Sequence, residues 1–476
     1  MIRVAVVGGG ITGLSTAYFL QESVRESGGP TEILLVEKGQ HLGGSILTER
    51  VNGFIIEGGP DCFLSEKPWT LRLCERLGIE DQLINTSQNR RTFILSGGKL
   101  HPLPEGFMLL APTRMMPFVR STLISPLGKI RMAMDWFIPR KTSDEEESLA
   151  QFVSRRLGRE ALEKIAEPLV AGIHASAPET MSLKATFPRF IELEEAYGSL
   201  IRGMLERRKK FAQFLKSRKG PERTMFVTLK SGMGYLIETL QGRLNAGSAL
   251  LDKRVSSLEL ESKKGFSSYR LKTDRGETLE TDAVVLATPS FVSGDLLRNL
   301  DKPLKDLLHT IPYVSSAIVH LAYNESKIHH PLNGFGFVVP RKEKRDIMAS
   351  TWTSVKFAHR VPDGHVLLRV FVGGAKNEAA LSFNDDEMVA MSRRELRDIM
   401  GIEANPLFTK VYRWEKSMPQ YRLGHLERVR EIEQRVSHHP GLFLTGCAYR
   451  GVGISDCIHD GELTANKVMA YLKNSR

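Results

Sequence analysis

The run Val4-Ala5-Val6-Val7-Gly8-Gly9-Gly10-Ile11-Thr12-Gly13 constrains this chain more than any other segment. Gly8, Gly10 and Gly13 fit the pattern G-x-G-x-x-G. An apolar strand, Ile2–Val7, precedes the glycines, and helical spacing follows from Ile11 to about Ser27. A second apolar strand, Thr31–Glu37, then ends in an acid. Strand, glycine turn, helix and strand make a βαβ unit, which commits the chain to a parallel sheet. The glycines have separate reasons. Gly8 permits the tight turn, Gly10 lets backbone approach a pyrophosphate, and Gly13 lets the helix pack close on the strand. The helix N-terminus then meets the phosphates with its free N–H groups. Glu37 stands about 20 residues on, where an acid accepts the ribose hydroxyls. A lone glycine motif would be weak, and the bland alternative is a tight turn with no ligand.

Three further features favour FAD over NAD. Gly43-Gly44-Ser45 and Glu57-Gly58-Gly59-Pro60 let backbone pass close to an extended cofactor. Val284-Val285-Leu286-Ala287-Thr288-Pro289 resembles the apolar strand and Ala-Thr-Pro/Gly signature of flavoproteins with two dinucleotide-binding segments. Leu442-Phe443-Leu444-Thr445-Gly446 and Gly451-Val452-Gly453-Ile454 precede the last helix, whose N-terminus would stabilise negative charge on a reduced flavin. One departure is that Cys447 follows Gly446, where related chains often carry Asp. Asp456 is nearby, with a helix-capping role as the alternative. No second G-x-G-x-x-G follows a strand, which disfavours a pyridine-nucleotide reductase.

The chain has 476 residues, so two or three structural units are expected, single cores being limited to roughly 250–300 residues. Its 41% hydrophobic and 25% charged content fits an ordinary globular protein and excludes general disorder. The formal net charge of +11 favours acidic partners. No basic stripe or nucleic-acid motif is present, so nucleic acid is not an expected partner. Cys62, Cys74, Cys447 and Cys457 form no Cys-x-x-Cys pair. His329-His330 and His438-His439 are adjacent pairs, read as solvated loop residues, and no metal site is expected. The chain enters a strand at once, leaving no room for a signal peptide, and no apolar run approaches the roughly 18 residues of a spanning helix. A cytoplasmic location is expected, with a peripheral membrane contact left open.

Further along, Glu66 to Phe190 reads as mostly helical, and Glu206–Arg223 as a basic, exposed connector. Strands are expected at Met225–Leu229, Ala249–Val255, Tyr269–Thr273 and Ala283–Ala287, repeatedly from Ala317 to Val372, and at Gly441–Thr445. A helix closes the chain from about Ile458 to Leu472. The opening unit, the middle strands and the closing strand-helix read as pieces of one sheet. The expected fold is α/β: a discontinuous Rossmann-like FAD-binding domain, an inserted α+β substrate domain and a helical domain. The expected FAD-binding parts are 1–66, 225–290 and 438–476. The substrate parts are 67–94 and 291–437, the helical domain is 95–205, and the connector is 206–224.

At this point the chain resembles the Gram-positive type of protoporphyrinogen/coproporphyrinogen oxidase, within the flavin-containing amine oxidase superfamily. The resemblance rests on Val7 to Leu14, Ile56 to Leu64, Glu167-Pro168-Leu169-Val170-Ala171-Gly172-Ile173-His174-Ala175, Ser417-Met418-Pro419-Gln420-Tyr421 and Gly451 to Ile454. The second pair of long segments is much narrower than the glycine motif. By motif, it implies FAD contacts from Gly8 to Gly13, Glu37, Lys38, Gly44, Ser45, Gly58, Gly59, Pro60 and Asp61. It adds a backbone contact from Val255, and flavin-side positions at Trp414, Val452, Gly453 and Ile454. It implies that Lys67 faces a substrate propionate and that Gly172, Ile173 and His174 lie beside the tetrapyrrole. Relatives often carry an aromatic residue at the place of His174.

The implied chemistry is six-electron oxidation of coproporphyrinogen III to coproporphyrin III in haem biosynthesis, in three flavin cycles with molecular oxygen and peroxide as product. Hydride would pass from a meso carbon to flavin N5, and pyrrole protons can leave to solvent, so no catalytic side chain is expected. Protoporphyrinogen IX oxidation and an amine oxidase of the same superfamily are the alternatives. A non-catalytic FAD-binding protein on a membrane surface is a further one, through Met108, Leu109, Leu110, Met115, Met116 and Phe118 beside Arg114 and Arg120. Expected partners are the propionate-bearing tetrapyrrole and oxygen, with weak membrane contact and a transient contact to the next haem-pathway enzyme left open. Neither Cys447 nor Cys457 sits in an attachment motif, so FAD is expected to be noncovalent. Acid precipitation of the yellow protein should release all its flavin as FAD, and flavin retained in the pellet would contradict this.

Overall fold

The computed structural model describes residues 1–88, 91–108, 111–112, 114–217, 223–263 and 266–474. Three distant stretches of chain build one parallel sheet of five strands. Its order is Ala249–Leu250, Thr31–Val36, Ile2–Val7, Ala283–Leu286 and Leu442–Leu444. Val4 to Val7 have no polar side chain because both faces are covered. Val4 and Val6 enter one core with Leu14, Leu20, Ile33 and Leu35. Ala5 and Val7 enter another with Leu258, Tyr269, Leu271 and Leu286. The period of two in a strand thus feeds two cores at once. The helices Ile11–Ser27 and Ile454–Asn474 lie against each other on the first core. An antiparallel sheet, Val255–Lys263, Phe266–Thr273 and Thr278–Thr281, covers the other face. The single strand expected over Ala249–Val255 is broken by a turn, with Asp252 at φ +59°.

A second, seven-stranded sheet has the order Phe408–Pro419, Tyr313–Asn324, His365–Gly373, Ile347–Trp352, Gly336–Val338, Thr92–Ser96 and Lys99–Pro102. Its last two strands fall inside the stretch read as mostly helical. Thr92-Phe93-Ile94-Leu95 is β-branched and aromatic, and Gly97 and Gly98 turn at φ +59° and +73°. Those are hairpin signals, and the long helical context masked them. The helix Asp385–Met400 packs on this sheet through Met388, Met391 and Leu396.

A third core is helical, built from Leu149–Arg156, Glu167–His174, Pro188–Tyr197 and Leu200–Ser217. The expected basic connector begins inside the last of these. Leu200, Ile201 and Met204 bury that helix's apolar side, so it continues through Arg207–Lys210 as an amphipathic helix. Arg218, Lys219 and Glu222 lie outside the described residues. Among the described residues, no helix is long and apolar enough to cross a membrane.

Arg156 ties this core together. Its Nε donates to Asp135 Oδ1 at 2.6 Å, and its Nη2 donates to the carbonyls of Asp135 at 2.8 Å and Gly198 at 2.9 Å. Both side chains of the ion pair are 0% exposed. Removing one partner of a buried pair leaves an uncompensated charge, at a cost of about 3–5 kcal/mol. Arg156→Met should therefore lower the thermal midpoint measured by circular dichroism, and an unchanged midpoint would refute this role.

Candidate active site

The glycine loop closes through contacts that side chains would forbid. Gly8 N donates to Val36 O at 2.8 Å, and Gly8 sits at φ +107°. A Cβ on Gly13 would lie 1.9 Å from Gly8 O, which is why this position must be bare for the helix to meet the strand. A Cβ on Gly10 would meet nothing within 4 Å, so Gly10 faces open space. Gly10 also makes no side-chain cap to its helix, leaving first-turn N–H groups at Ile11, Thr12 and Gly13 for a ligand. Glu37 does more than await a ribose. Its Oε2 accepts from Gly9 N at 2.6 Å and its Oε1 from Gly39 N at 2.8 Å. Lys253 N donates to Glu37 O at 2.9 Å, so the turn leading to buried Val255 runs beside this acid. Lys38 is exposed beside it, and Gly44 and Ser45 are exposed where the Gly10–Gly43 bridge joins the two loops.

The Glu57–Asp61 strip is clamped from the seven-stranded sheet. Three successive carbonyls each take a side-chain donor from a different strand. Glu57 O accepts from His320 Nε2 at 3.0 Å, Gly58 O from Trp414 Nε1 at 2.7 Å, and Gly59 O from Arg369 Nη2. Burial, then the Arg369 cation, pushes His320 down to about 3, so the ring is neutral and carries its proton on Nε2. A Cβ on Gly59 would lie 1.7 Å from Ser45 O, bringing the two expected ring-side segments together at Pro60. Beneath them Asp61 accepts from Lys356 Nζ at 2.9 Å, with Arg369 Nη1 at 3.6 Å. Burial alone would raise the Asp61 carboxyl, but Lys356 and then Arg369 outweigh it and hold it below the usual range. Glu57 accepts from Thr48 Oγ1 at 2.6 Å and Met233 N at 2.9 Å and faces Arg360 Nη1 at 3.2 Å. None of Thr48, His320, Lys356, Arg360 or Arg369 stands out in the sequence, because each gains its meaning from a strand far away.

The closing strand and helix supply the third wall. Gly446 N and Thr445 Oγ1 both donate to Asp460 Oδ2, at 2.8 and 2.6 Å. An acid of the helix Ile454–Asn474 thus fastens the end of the strand that precedes Cys447. Val452 and Gly453 lead into that helix, and Ile454 is its buried first residue. Asp456 lies in the first helical turn but does not cap it with a backbone bond. Its carboxylate is paired with Lys67 Nζ at 2.6 Å. Lys67 therefore already has an anionic partner at the place where a propionate was expected, and its side chain remains 42% exposed.

The two narrow sequence segments meet each other. Gln420 Nε2 donates to His174 O at 3.3 Å, and Ser176 Oγ bonds Gln420 Oε1. Next along, Tyr421 Oη bonds Cys447 O at 2.5 Å and accepts from Gly451 N at 2.6 Å. Gln420 and Tyr421 thus join the end of the helix Glu167–His174 to the strip before the closing helix. Gly172, Ile173 and His174 end that helix, and Ala175 turns out of it at φ +50°. His174 stands edge-on to Phe187 at 5.4 Å. Burial, then the cation of Lys67, pushes His174 down to about 4, so the ring is neutral.

The apolar segment read as an interfacial patch divides. Phe118 is 3% exposed and packs on Phe107 inside the helical core. Met115, Met116 and Val119 stay exposed, and so do Leu127, Ile130, Trp136 and Phe137, the last at 87%. Leu109 and Leu110 lie outside the described residues. Each histidine pair also has one anchored member: His330 lies edge-on to Trp352, and His439 bonds Asp301 at 3.0 Å.

These residues fit FAD. The open face of Gly10, the uncapped helix start and Glu37 suit a pyrophosphate and a ribose. The bare Gly59, whose Cβ would meet Ser45 O at 1.7 Å, lets two backbone segments pass each other closely, as an extended cofactor beside them requires. The match to known proteins agrees. Residues 11–469 match the family model described as flavin containing amine oxidoreductase. The coproporphyrinogen III oxidase of Bacillus subtilis (strain 168) is 36% identical, covering 99% of this chain and 98% of that one. The coproporphyrinogen III oxidase of Staphylococcus aureus (strain NCTC 8325 / PS 47) is 34% identical, covering 98% of this chain and 99% of that one. A crystal structure from Exiguobacterium sp. 255-15 superposes with a TM-score of 0.85 at 31% identity, covering 99% of both chains. The glycine cradle, the clamped strip and this full-length likeness lead to one conclusion: the chain belongs to the flavin containing amine oxidoreductase family and is an FAD-dependent oxidoreductase.

Proposed function

We infer that this enzyme oxidises coproporphyrinogen III to coproporphyrin III, with molecular oxygen as electron acceptor. The observation that carries this reading is the junction of the two narrow segments: Gln420 holds the His174 end of one wall, and Tyr421 holds the strip on the flavin side. It is supported by the identity to two coproporphyrinogen III oxidases along nearly the whole chain. FAD held by the glycine cradle and the Glu57–Asp61 strip would supply the two-electron redox chemistry, so a six-electron oxidation calls for three rounds and three molecules of oxygen.

The chain's own residues bind and orient. Lys67 supplies the cation for a propionate, which would exchange with Asp456 for the ammonium. Asp456 then keeps Lys67 ordered between turnovers. Neutral His174 offers a polar edge without adding a second cation, while Gly172 packs toward the seven-stranded sheet, where a Cβ would meet Val338 Cγ1 at 3.4 Å. No base is required, since pyrrole protons can leave to water or backbone. The same reading assigns the parallel sheet and its covering strands to FAD, from 1–66, 225–290 and 438–476. The seven-stranded sheet covers the substrate; it lies in 291–437 and in the early part, whose expected end at 94 moves to Pro102 to keep the hairpin Thr92–Pro102 whole. The helical part borders both, with its edges drawn after Pro102 and at Ser217, where the strand and the helix end.

The location in this reading is cytoplasmic, with peripheral contact to an anionic membrane surface. Its support is the exposed set Met116, Leu127, Ile130, Trp136 and Phe137 near Arg114 and Arg120, an apolar surface edged by cations. Phe137→Ser with Leu127→Ser should abolish co-sedimentation with phosphatidylglycerol vesicles while turnover of soluble substrate stays intact. Equal sedimentation of the two proteins would remove the membrane contact.

Purified enzyme should show a higher kcat/KM for coproporphyrinogen III than for protoporphyrinogen IX, read by porphyrin fluorescence. The reverse order would overturn the substrate assignment. A charge-assisted contact contributes about 1.5–3 kcal/mol, so Lys67→Ala should raise KM for coproporphyrinogen roughly 10–100-fold. A contact equal in ground and transition states leaves kcat nearly unchanged. An unchanged KM would remove Lys67 from the propionate site.

A further inference from the structure

The charges behind the Glu57–Asp61 strip do not balance. Two carboxylates, Glu57 and Asp61, face three bases, Lys356, Arg360 and Arg369. Side-chain exposure is 12% for Lys356, 0% for Arg360 and 4% for Arg369. One cation is therefore in excess even with both acids ionised. Burial pushes Glu57 up, which can only enlarge the excess. Cys62, 3.5 Å from Lys356 Nζ, does not offset it, because burial first and Asp61 second push its thiol up to about 12. His320 is neutral. Among the described residues, Arg360 Nε and Arg369 Nε are buried with no hydrogen-bond partner.

An unbalanced buried cation is costly, so it persists only where something compensates it. The clamp shows where that lies. Arg369 reaches Gly59 O with one nitrogen and Asp61 with another. Lys356 holds Asp61 from the other side, above the rings of Phe357 at 5.0 Å and Phe226 at 5.5 Å. The cluster thus stands directly behind the strip assigned to the flavin ring, in a low-dielectric setting where its field is little screened. A flavin ring becomes more negative as it takes up electrons.

We propose that Lys356 and Arg369 are positioning residues that raise the affinity of the bound flavin for electrons, Arg369 by holding the Gly59 carbonyl and both by their surplus positive charge behind the ring. The proposal rests on the reading that Gly58 to Asp61 meet the ring. Asp61 moderates the effect: it holds the two cations in place and cancels part of their field.

The test is the two-electron midpoint potential of FAD-loaded enzyme, measured by dye equilibration, with FAD content and the visible spectrum taken alongside. Lys356→Met should lower the ratio of reduced to oxidised flavin at a fixed poise about tenfold, equal to ~30 mV for a two-electron couple. Lys356→Arg should restore the wild-type potential, and Asp61→Asn should move it upward. A merely structural role would lower FAD content or stability without opposite shifts from the lysine and the aspartate. An unchanged potential in FAD-replete Lys356→Met overturns the proposal. If that variant does not fold, an Asp61→Asn potential that stays or falls overturns it instead. Trp414→Phe separates the two layers of the argument. If it shifts the flavin absorption while Lys356→Met leaves the potential alone, the strip meets the ring and only the electrostatic role fails. If neither variant changes spectrum or potential, the placement of the strip fails as well.

Discussion

The approach of Gly13 to the carbonyl of Gly8 is the contact on which the molecule depends. A helix can begin this close to the end of a parallel strand only where no Cβ intervenes. The same economy recurs where the closing helix crosses the first one. A Cβ on Gly461 would lie 2.9 Å from Thr12 O, so two bare positions let three elements meet at one point. Once they meet, the first-turn N–H groups of the opening helix face outward and the closing helix presents Asp460 to Gly446. The cofactor cradle is therefore a consequence of backbone packing, with side chains added at its edges by Glu37 and Asp460.

A second sheet then faces the first across the Glu57–Asp61 strip. The strip cannot pair as an ordinary strand on that side, so its carbonyls take side-chain donors from His320, Trp414 and Arg369. Backbone carbonyls buried without donors would be costly, and three strands in register supply one donor each. The register matters: His320 is directly opposite Arg369 in the pairing of Tyr313–Asn324 with His365–Gly373. A slip of one residue would turn both donors to the far face of the sheet. The precision of the Glu57–Asp61 strip is thus inherited from strand pairing many residues away.

The junction of the two narrow segments is organised differently. A helix end, Gly172 to His174, meets a strand end, Gln420 and Tyr421, through polar contacts rather than apolar burial. Lys67, paired with Asp456, carries an ammonium that is ordered but still reachable by solvent. The exposed apolar residues from Met115 to Phe137 lie in the helical part, away from the Gly8–Gly13 cradle in sequence and in core membership.

The amino-acid sequence by itself determined the parallel sheet, the phosphate loop and the order in which distant pieces join. The glycine spacing and the unbroken apolar strands are local patterns, and Glu37 stands at the fixed distance along a βαβ unit at which an acid comes back beside the loop, where it accepts from Gly9 N. The narrow segments at 167–175 and 417–421 marked a likeness, yet their contact through Gln420 is a fact of tertiary structure. The hairpin at Thr92–Pro102 was hidden because its strands are stabilised by neighbours such as Gly336–Val338, not by their own periodicity. The pairing of Lys67 with Asp456, the bonds of Asp460 to Thr445 and Gly446, and the gathering of Lys356, Arg360 and Arg369 behind Glu57 and Asp61 were all decided by the fold. Electrostatic partnership depends on distance in space, and the chain separates Lys67 from Asp456, and Lys356 from Asp61, by hundreds of positions that only folding removes.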